Sequence, residues 1–152
     1  MKKMPLLLLA GLLICGFSAC SNTSAIIAGE LKVALSKIER AGDGNVQVTW
    51  VVENPNVVPY LISKGTHKVM LNGTPVGTIV QDTPLGVPAN NRLERTGSLV
   101  LAGPAAGPII DQAVSQGSAA YLVDSTVFLL ILDDKFEKVH LTRSGSVAVV
   151  AK

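Results

Sequence analysis

Val46, Val48, Trp50 and Val52 alternate with Gln47, Thr49, Val51 and Glu53, and the run halts at Asn54-Pro55-Asn56. Alternation of this kind is the period of a strand with one buried face. It also fixes the register, because a slip of one residue would turn every apolar side chain outward. The pattern puts Trp50 on the inward face. Pro55 has no N–H to give to a ladder, and Asn readily closes a local turn with its own side chain. The tripeptide therefore reads as a structural stop; the alternative is a loop that displays its Asn side chains to a partner.

Other segments repeat the theme. Leu31, Val33 and Leu35 alternate with polar or small residues, and Ala41 to Asn45 is a turn. Val57 to Ile62 is interrupted by Pro59 and reads as an edge strand or irregular segment. Thr66 to Leu71, Asn72-Gly73 and Thr74 to Val80 predict a hairpin, since Asn-Gly tolerates the positive φ of a two-residue turn. Leu85 to Asn90 reads as a loop and Arg92 to Leu101 as a strand. Pro108 opens the one good helix, with Ile109, Ile110, Ala113 and Val114 as its stripe and Gly117 as its stop. Ala119 to Leu132 predicts two strands breaking near Asp124-Ser125. Lys138 to Thr142 and Ser146 to Ala151 are expected to flank a Ser144-Gly145 turn. About seven strands at this spacing, with one short helix, predict an all-β fold of two packed sheets.

The N-terminus has a different logic. Met1-Lys2-Lys3 precedes an apolar run from Pro5 to Phe17, the layout of a secretory signal. Phe17-Ser18-Ala19-Cys20 resembles the lipobox of bacterial lipoproteins, in which the Cys thiol takes a diacylglycerol. Cys15 is a poorer candidate, because Ile14 before it is bulky; an ordinary cut after Ala19 is the alternative to lipidation. The expected organisation is a signal peptide over 1–19, a lipidated tether over 20–29 and a domain over 30–152. Ser21, where an Asp would be the usual retention signal in diderm bacteria, points to the outer membrane, facing the periplasm.

Charge and cysteine then exclude several classes. The chain has 13 Lys and Arg against 11 Asp and Glu, and removing Lys2 and Lys3 leaves 11 of each. No basic surface for nucleic acid is indicated. Only Cys15 and Cys20 exist, so the mature domain has no thiol for a disulfide, metal or nucleophile. His67 and His140 lie in predicted strands without ligand-like neighbours and read as surface or hydrogen-bonded strand residues. Asp133, Asp134 and Glu137, set among lysines, read as a solvated turn. Ser115 and Ser118 lack a nearby His and an elbow sequence. No catalytic residue, metal site or cofactor is expected.

The run from Val48 to Asn56 resembles the late embryogenesis abundant (LEA) type 2 domain, also called the water stress and hypersensitive response (WHy) domain. Val69-Met70-Leu71-Asn72-Gly73 with Val76-Gly77, then Leu85-Gly86-Val87-Pro88-Ala89, then a helix and a Tyr121-led strand follow in that family's order. Asp124 departs from it, standing where the family usually has Gly. The resemblance implies a fibronectin type III-like β-sandwich of about seven strands and a role in desiccation and stress tolerance. It implies no enzyme. Two functions follow as expectations. One is a non-catalytic protective or envelope interaction module held to a membrane through lipid on Cys20. The other is a carrier for a lipid or other hydrophobic ligand lodged between the sheets.

Overall fold

A computed structural model describes residues 30–130 and 136–152. Residues 1–29, with the expected signal peptide, Cys20 and the expected tether, lie outside the described residues, as do Asp133 and Asp134. The strands are β1 (Lys32–Arg40), β2 (Val46–Asn54), β3 (Tyr60–Leu71), β4 (Thr74–Gln81), β5 (Leu85–Val87), β6 (Asn91–Leu101), β7 (Ser118–Leu130) and β8 (Phe136–Ala151), with helix α1 (Ala106–Gln116) between β6 and β7.

The sandwich expectation is overturned. The strands form one sheet in the order β4-β6-β2-β1-β8-β7-β3, and β3 pairs again with β4. The ring closes into a seven-stranded barrel, with β5 added beside β3. Inward and outward residues alternate along a strand in a barrel as in a sandwich, so periodicity does not separate the two. Strand length and bending do. β3, β7 and β8 run 12, 13 and 16 residues, long enough for a twisted strand to pass round the ring.

Bulges help the sheet to curl. One falls between Leu35 and Lys37 on β1, another between Ile62 and Lys64 on β3. Each shifts the inward set by one position. Leu35 is followed inward by Ile38, and Ile62 by Gly65 and His67. All pairings are antiparallel except β1 with β8, where Lys37–Arg40 lie parallel to Ala148–Ala151.

Two predicted breaks are absent. β7 runs unbroken through Asp124 and Ser125 because it is laddered on both edges, to β3 and to β8. β8 runs straight through Ser144-Gly145. Gly145 lies opposite Tyr121, whose ring covers the space a Cβ would fill, 3.0 Å away. The glycine serves a close approach there, not a turn. The Asn72-Gly73 hairpin does form, with φ of 48° and 81°. The predicted loop at Leu85 contains β5, whose Leu85 and Val87 are buried.

The core is the barrel's interior, filled by Ile38, Val48, Val52, Ile62, Leu71, Ile79 and Leu129 among others. Both ends are covered. Helix α1 packs on β8, β7 and β1 and also on β4, across the ring, so it lies over one end. It begins two residues before Pro108, buries Ala106, Ile110 and Ala113, and stops at Gly117 with φ 76°. Arg40 ties it down. Its Nε donates to Asp111 at 3.0 Å, while a second guanidinium nitrogen donates to the Gly44 carbonyl. The opposite end is crossed by β5, which pairs with β3 and touches β2 and β6.

Candidate functional site

The end closed by β5 holds the Asn54-Pro55-Asn56 segment. Asn54 is buried, and its side-chain nitrogen lies 2.8 Å from the Val58 carbonyl, 3.1 Å from that of Pro88 and 3.3 Å from that of Val87. Two amide protons thus serve three carbonyls. Its Oδ1 accepts the Asn56 N–H at 3.0 Å, closing the local turn. One side chain therefore joins the end of β2 to the next loop and to the end of β5. Asn56 acts differently. Its backbone carbonyl accepts the Asn90 N–H at 2.9 Å, while its buried side-chain nitrogen finds no hydrogen-bond partner among the described residues.

Beside this segment the wall has a stretch without a ladder. Only Lys37–Arg40 of β1 pair with β8, so no ladder joins the first half of β1 to the middle of β8. Between them lies a groove of about 340 Å³, lined by Leu31, Val33, Pro55 and Leu141 and by the charged Glu30, Lys32 and Arg143. His140 is on its rim, with Nδ1 3.1 Å from the Thr126 hydroxyl. Tyr60 stands at the same end. Burial, with the Glu137 and Glu30 carboxylates beside it, pushes its hydroxyl pKa up.

A second polar group sits inside the barrel around His67, which is the hydrogen-bonded strand residue of the two expected alternatives and not a surface one. His67 is fully buried and its Nδ1 lies 2.9 Å from the buried Ser125 hydroxyl on β7. The register places His67 directly opposite Ser125. Trp50 packs against the imidazole, and Gln81 on β4 stands alongside. Trp50 Nε1, His67 Nε2 and Gln81 Oε1 have no partner among the described residues. Burial pushes the His67 pKa down to about 4, an effect that Gln81 partly opposes, so the ring is neutral at pH 7. The His67–Ser125 pair has the spacing of a base with a nucleophile. With both residues wholly enclosed, it reaches no substrate and serves as a strand-to-strand link.

Ser115 is on α1, where its hydroxyl donates to the Gln112 carbonyl at 2.7 Å, and Ser118 begins β7. Glu137 is on β8, half-buried. Among the described residues no three His, Cys, Asp or Glu side chains gather as metal ligands, and no helix is long and apolar enough to cross a membrane.

No protein-family model matches the sequence, and no curated protein matches it. Solved structures do. The solution structure of a protein described as late embryogenesis abundant (LEA) aligns with 85% of this chain and 76% of its own, at 13% identity and a TM-score of 0.50. A protein from Archaeoglobus fulgidus aligns with 78% of this chain and 94% of its own, at 16% identity and a TM-score of 0.47. One from Arabidopsis thaliana aligns with 80% of this chain and 79% of its own, at 11% identity and 0.46. At such identities the likeness concerns the fold, and the first of the three gives this chain an LEA-like fold.

Proposed function

We propose that the protein is a membrane-anchored, non-catalytic lipoprotein whose LEA type 2-like (WHy) domain serves as a stress- or desiccation-protective or envelope interaction module. The observation that carries this reading is the filled barrel. Its interior is mostly aliphatic, a helix covers one end, and a short strand pinned by Asn54 covers the other. Such a body offers its outer surface and not an interior site. The LEA-like fold of a solved structure supports the protective role. The Phe17-Ser18-Ala19-Cys20 sequence supports lipidation at Cys20, and Ser21 supports delivery to the outer membrane facing the periplasm.

The carrier reading keeps one supporting observation, the groove between β1 and β8. A ligand between two sheets has no place in a closed barrel, so a bound molecule would take that groove. Its charged rim fits an amphipathic molecule better than a bare hydrocarbon.

The test combines anchoring with protection. Palmitate fed to a diderm host expressing the full chain should label the wild type and not Cys20→Ala, with the label recovered in the outer-membrane fraction. Cells with the wild-type protein should survive drying better than cells with Cys20→Ala. Label persisting on Cys20→Ala would remove Cys20 as the lipidated residue, and equal survival with and without the protein would remove the protective role.

A further inference from the structure

Three strands each place one unpaired polar atom in the barrel's interior. Trp50 Nε1 comes from β2, His67 Nε2 from β3 and Gln81 Oε1 from β4, none with a hydrogen-bond partner among the described residues. The three residues are closed off from bulk solvent, at 4%, 0% and 7% exposure. They are also neighbours. The indole and imidazole centroids are 5.7 Å apart, and Gln81 lies near enough to the imidazole to act on its protonation. The other nitrogens are engaged. His67 Nδ1 is 2.9 Å from the Ser125 hydroxyl, and the Gln81 amide nitrogen donates to the Thr83 carbonyl at 3.2 Å. Gly65 keeps the remaining imidazole nitrogen uncovered. It lies directly opposite Gln81 in the β3–β4 ladder, and a Cβ there would come within 3.2 Å of His67 Nε2. Any side chain at position 65 would crowd the one ring nitrogen that lacks a partner.

The chemistry of the three atoms selects the ligand. Trp50 Nε1 can only donate, and Gln81 Oε1 can only accept. His67 Nε2 does either, according to which way the proton lies in the Nδ1–Ser125 bond. An anion would face Gln81 Oε1 and a cation would face the indole N–H, in each case with no counter-charge on the three side chains. An apolar atom would leave all three groups unpaired in a low-dielectric interior. A small neutral molecule that both donates and accepts is required. We propose that this cluster binds one water molecule, which accepts from Trp50 Nε1–H, donates to Gln81 Oε1 and takes whichever role His67 Nε2 leaves to it. Water has two protons and two lone pairs, so it satisfies either tautomer of the histidine. Three polar partners are the usual complement of a buried water. Such a water is a part of the core and not a cargo, so it fits a filled barrel. It is independent of the lipid anchor and of the protective role.

Nuclear magnetic resonance tests it on the chain from Ser21 onward, which carries the whole described domain and its core. Trp50 is the single tryptophan, so its indole Hε1 gives one resolved signal. In the wild type that proton should show a cross-peak to the water resonance, with opposite signs in laboratory-frame and rotating-frame spectra, as a water held far longer than the hydration layer gives. Oxygen-17 relaxation dispersion counts held waters with no contribution from hydroxyl protons. Gln81→Leu should lose the cross-peak and lower the dispersion amplitude by one water while still unfolding cooperatively. Ser125→Ala, which touches only the other ring nitrogen, should keep both signals. A wild type without the cross-peak overturns the proposal with no variant needed. An unchanged amplitude in a folded Gln81→Leu also overturns it. So does a cross-peak that vanishes in Ser125→Ala at unchanged amplitude, because the serine hydroxyl would then be its source.

Discussion

Trp50 and His67 face each other inside the barrel, with ring centroids 5.7 Å apart and planes inclined at 44°. Trp50 is the chain's single tryptophan, so one indole reports on the place where the polar interior is least well matched. The pair also spans the barrel's two halves, since Trp50 belongs to β2 and His67 to β3, which are not neighbours in the ring. Its consequences are energetic and readable by titration.

The His67 pKa is about 4 in the folded protein, below the 6.5 of an ordinary imidazole. Between those values the unfolded chain takes up a proton that the folded chain refuses. The stabilisation is therefore fully present above pH 6.5 and is lost as pH falls from 6.5 towards 4. A shift of that size corresponds to roughly 3 kcal/mol. Urea unfolding of the chain from Ser21 onward at pH 7.0 and pH 4.5 measures it. Surface carboxylates titrate in the same range, so the informative quantity is the difference from His67→Gln. The variant should be less stable at pH 7, because Ser125 loses its partner, and should lose less on acidification. Equal losses for both proteins would place the acid sensitivity elsewhere.

Gly97 on β6 lies under the same indole. A Cβ there would meet the Trp50 ring at 3.1 Å and 3.2 Å, with Ile79 behind it at 3.7 Å. Gly97→Val should overpack the core and cost about 1–3 kcal/mol. The double variant Gly97→Val/Trp50→Leu should recover part of that loss, because the ring that is crowded has been removed. Denaturant midpoints of the four proteins give the coupling, and an additive pair would show that the contact carries no strain.

What the sequence made legible was local. The alternation through Trp50, the Asn72-Gly73 hairpin and the apolar stripe ending at Gly117 all depend on neighbours within a few residues, and each appears in the structure. The closure of the barrel was not legible, because it depends on which strand β3 meets along its second edge. The bulge at Ser63 hid more, since it switches the inward set from even to odd and makes one long strand look like two pieces. Ser144-Gly145 misled for a related reason, as only the cross-strand position of Tyr121 reveals why a small residue is needed there. At the candidate site, Asn54 was legible as a turn residue. Its hold on β5, more than thirty positions away, was not.

The asymmetry between Asn54 and Asn56 gives the last prediction. The sequence treats them as equivalent flanks of Pro55, yet their side chains have different surroundings. Asn54→Ala would strip the Val58, Val87 and Pro88 carbonyls of their shared donor and release the Asn56 N–H. An unpaired buried polar group costs about 1–3 kcal/mol. The loop after β2 and the end of β5 can each relax towards water, so a total of about 2–4 kcal/mol is expected, or roughly a 10 °C fall in Tm for a domain of this size. Asn56→Ala removes a side-chain nitrogen that has no partner, while its bonded backbone carbonyl remains. Its Tm should move by only a few degrees in either direction. Hydrogen exchange adds a local readout, because a freed β5 should exchange faster in Asn54→Ala while β7 keeps its protection. Equal Tm losses in the two single variants, with no change in exchange at β5, would mean that the tripeptide stabilises the turn alone and does not pin the strand that covers the barrel's end.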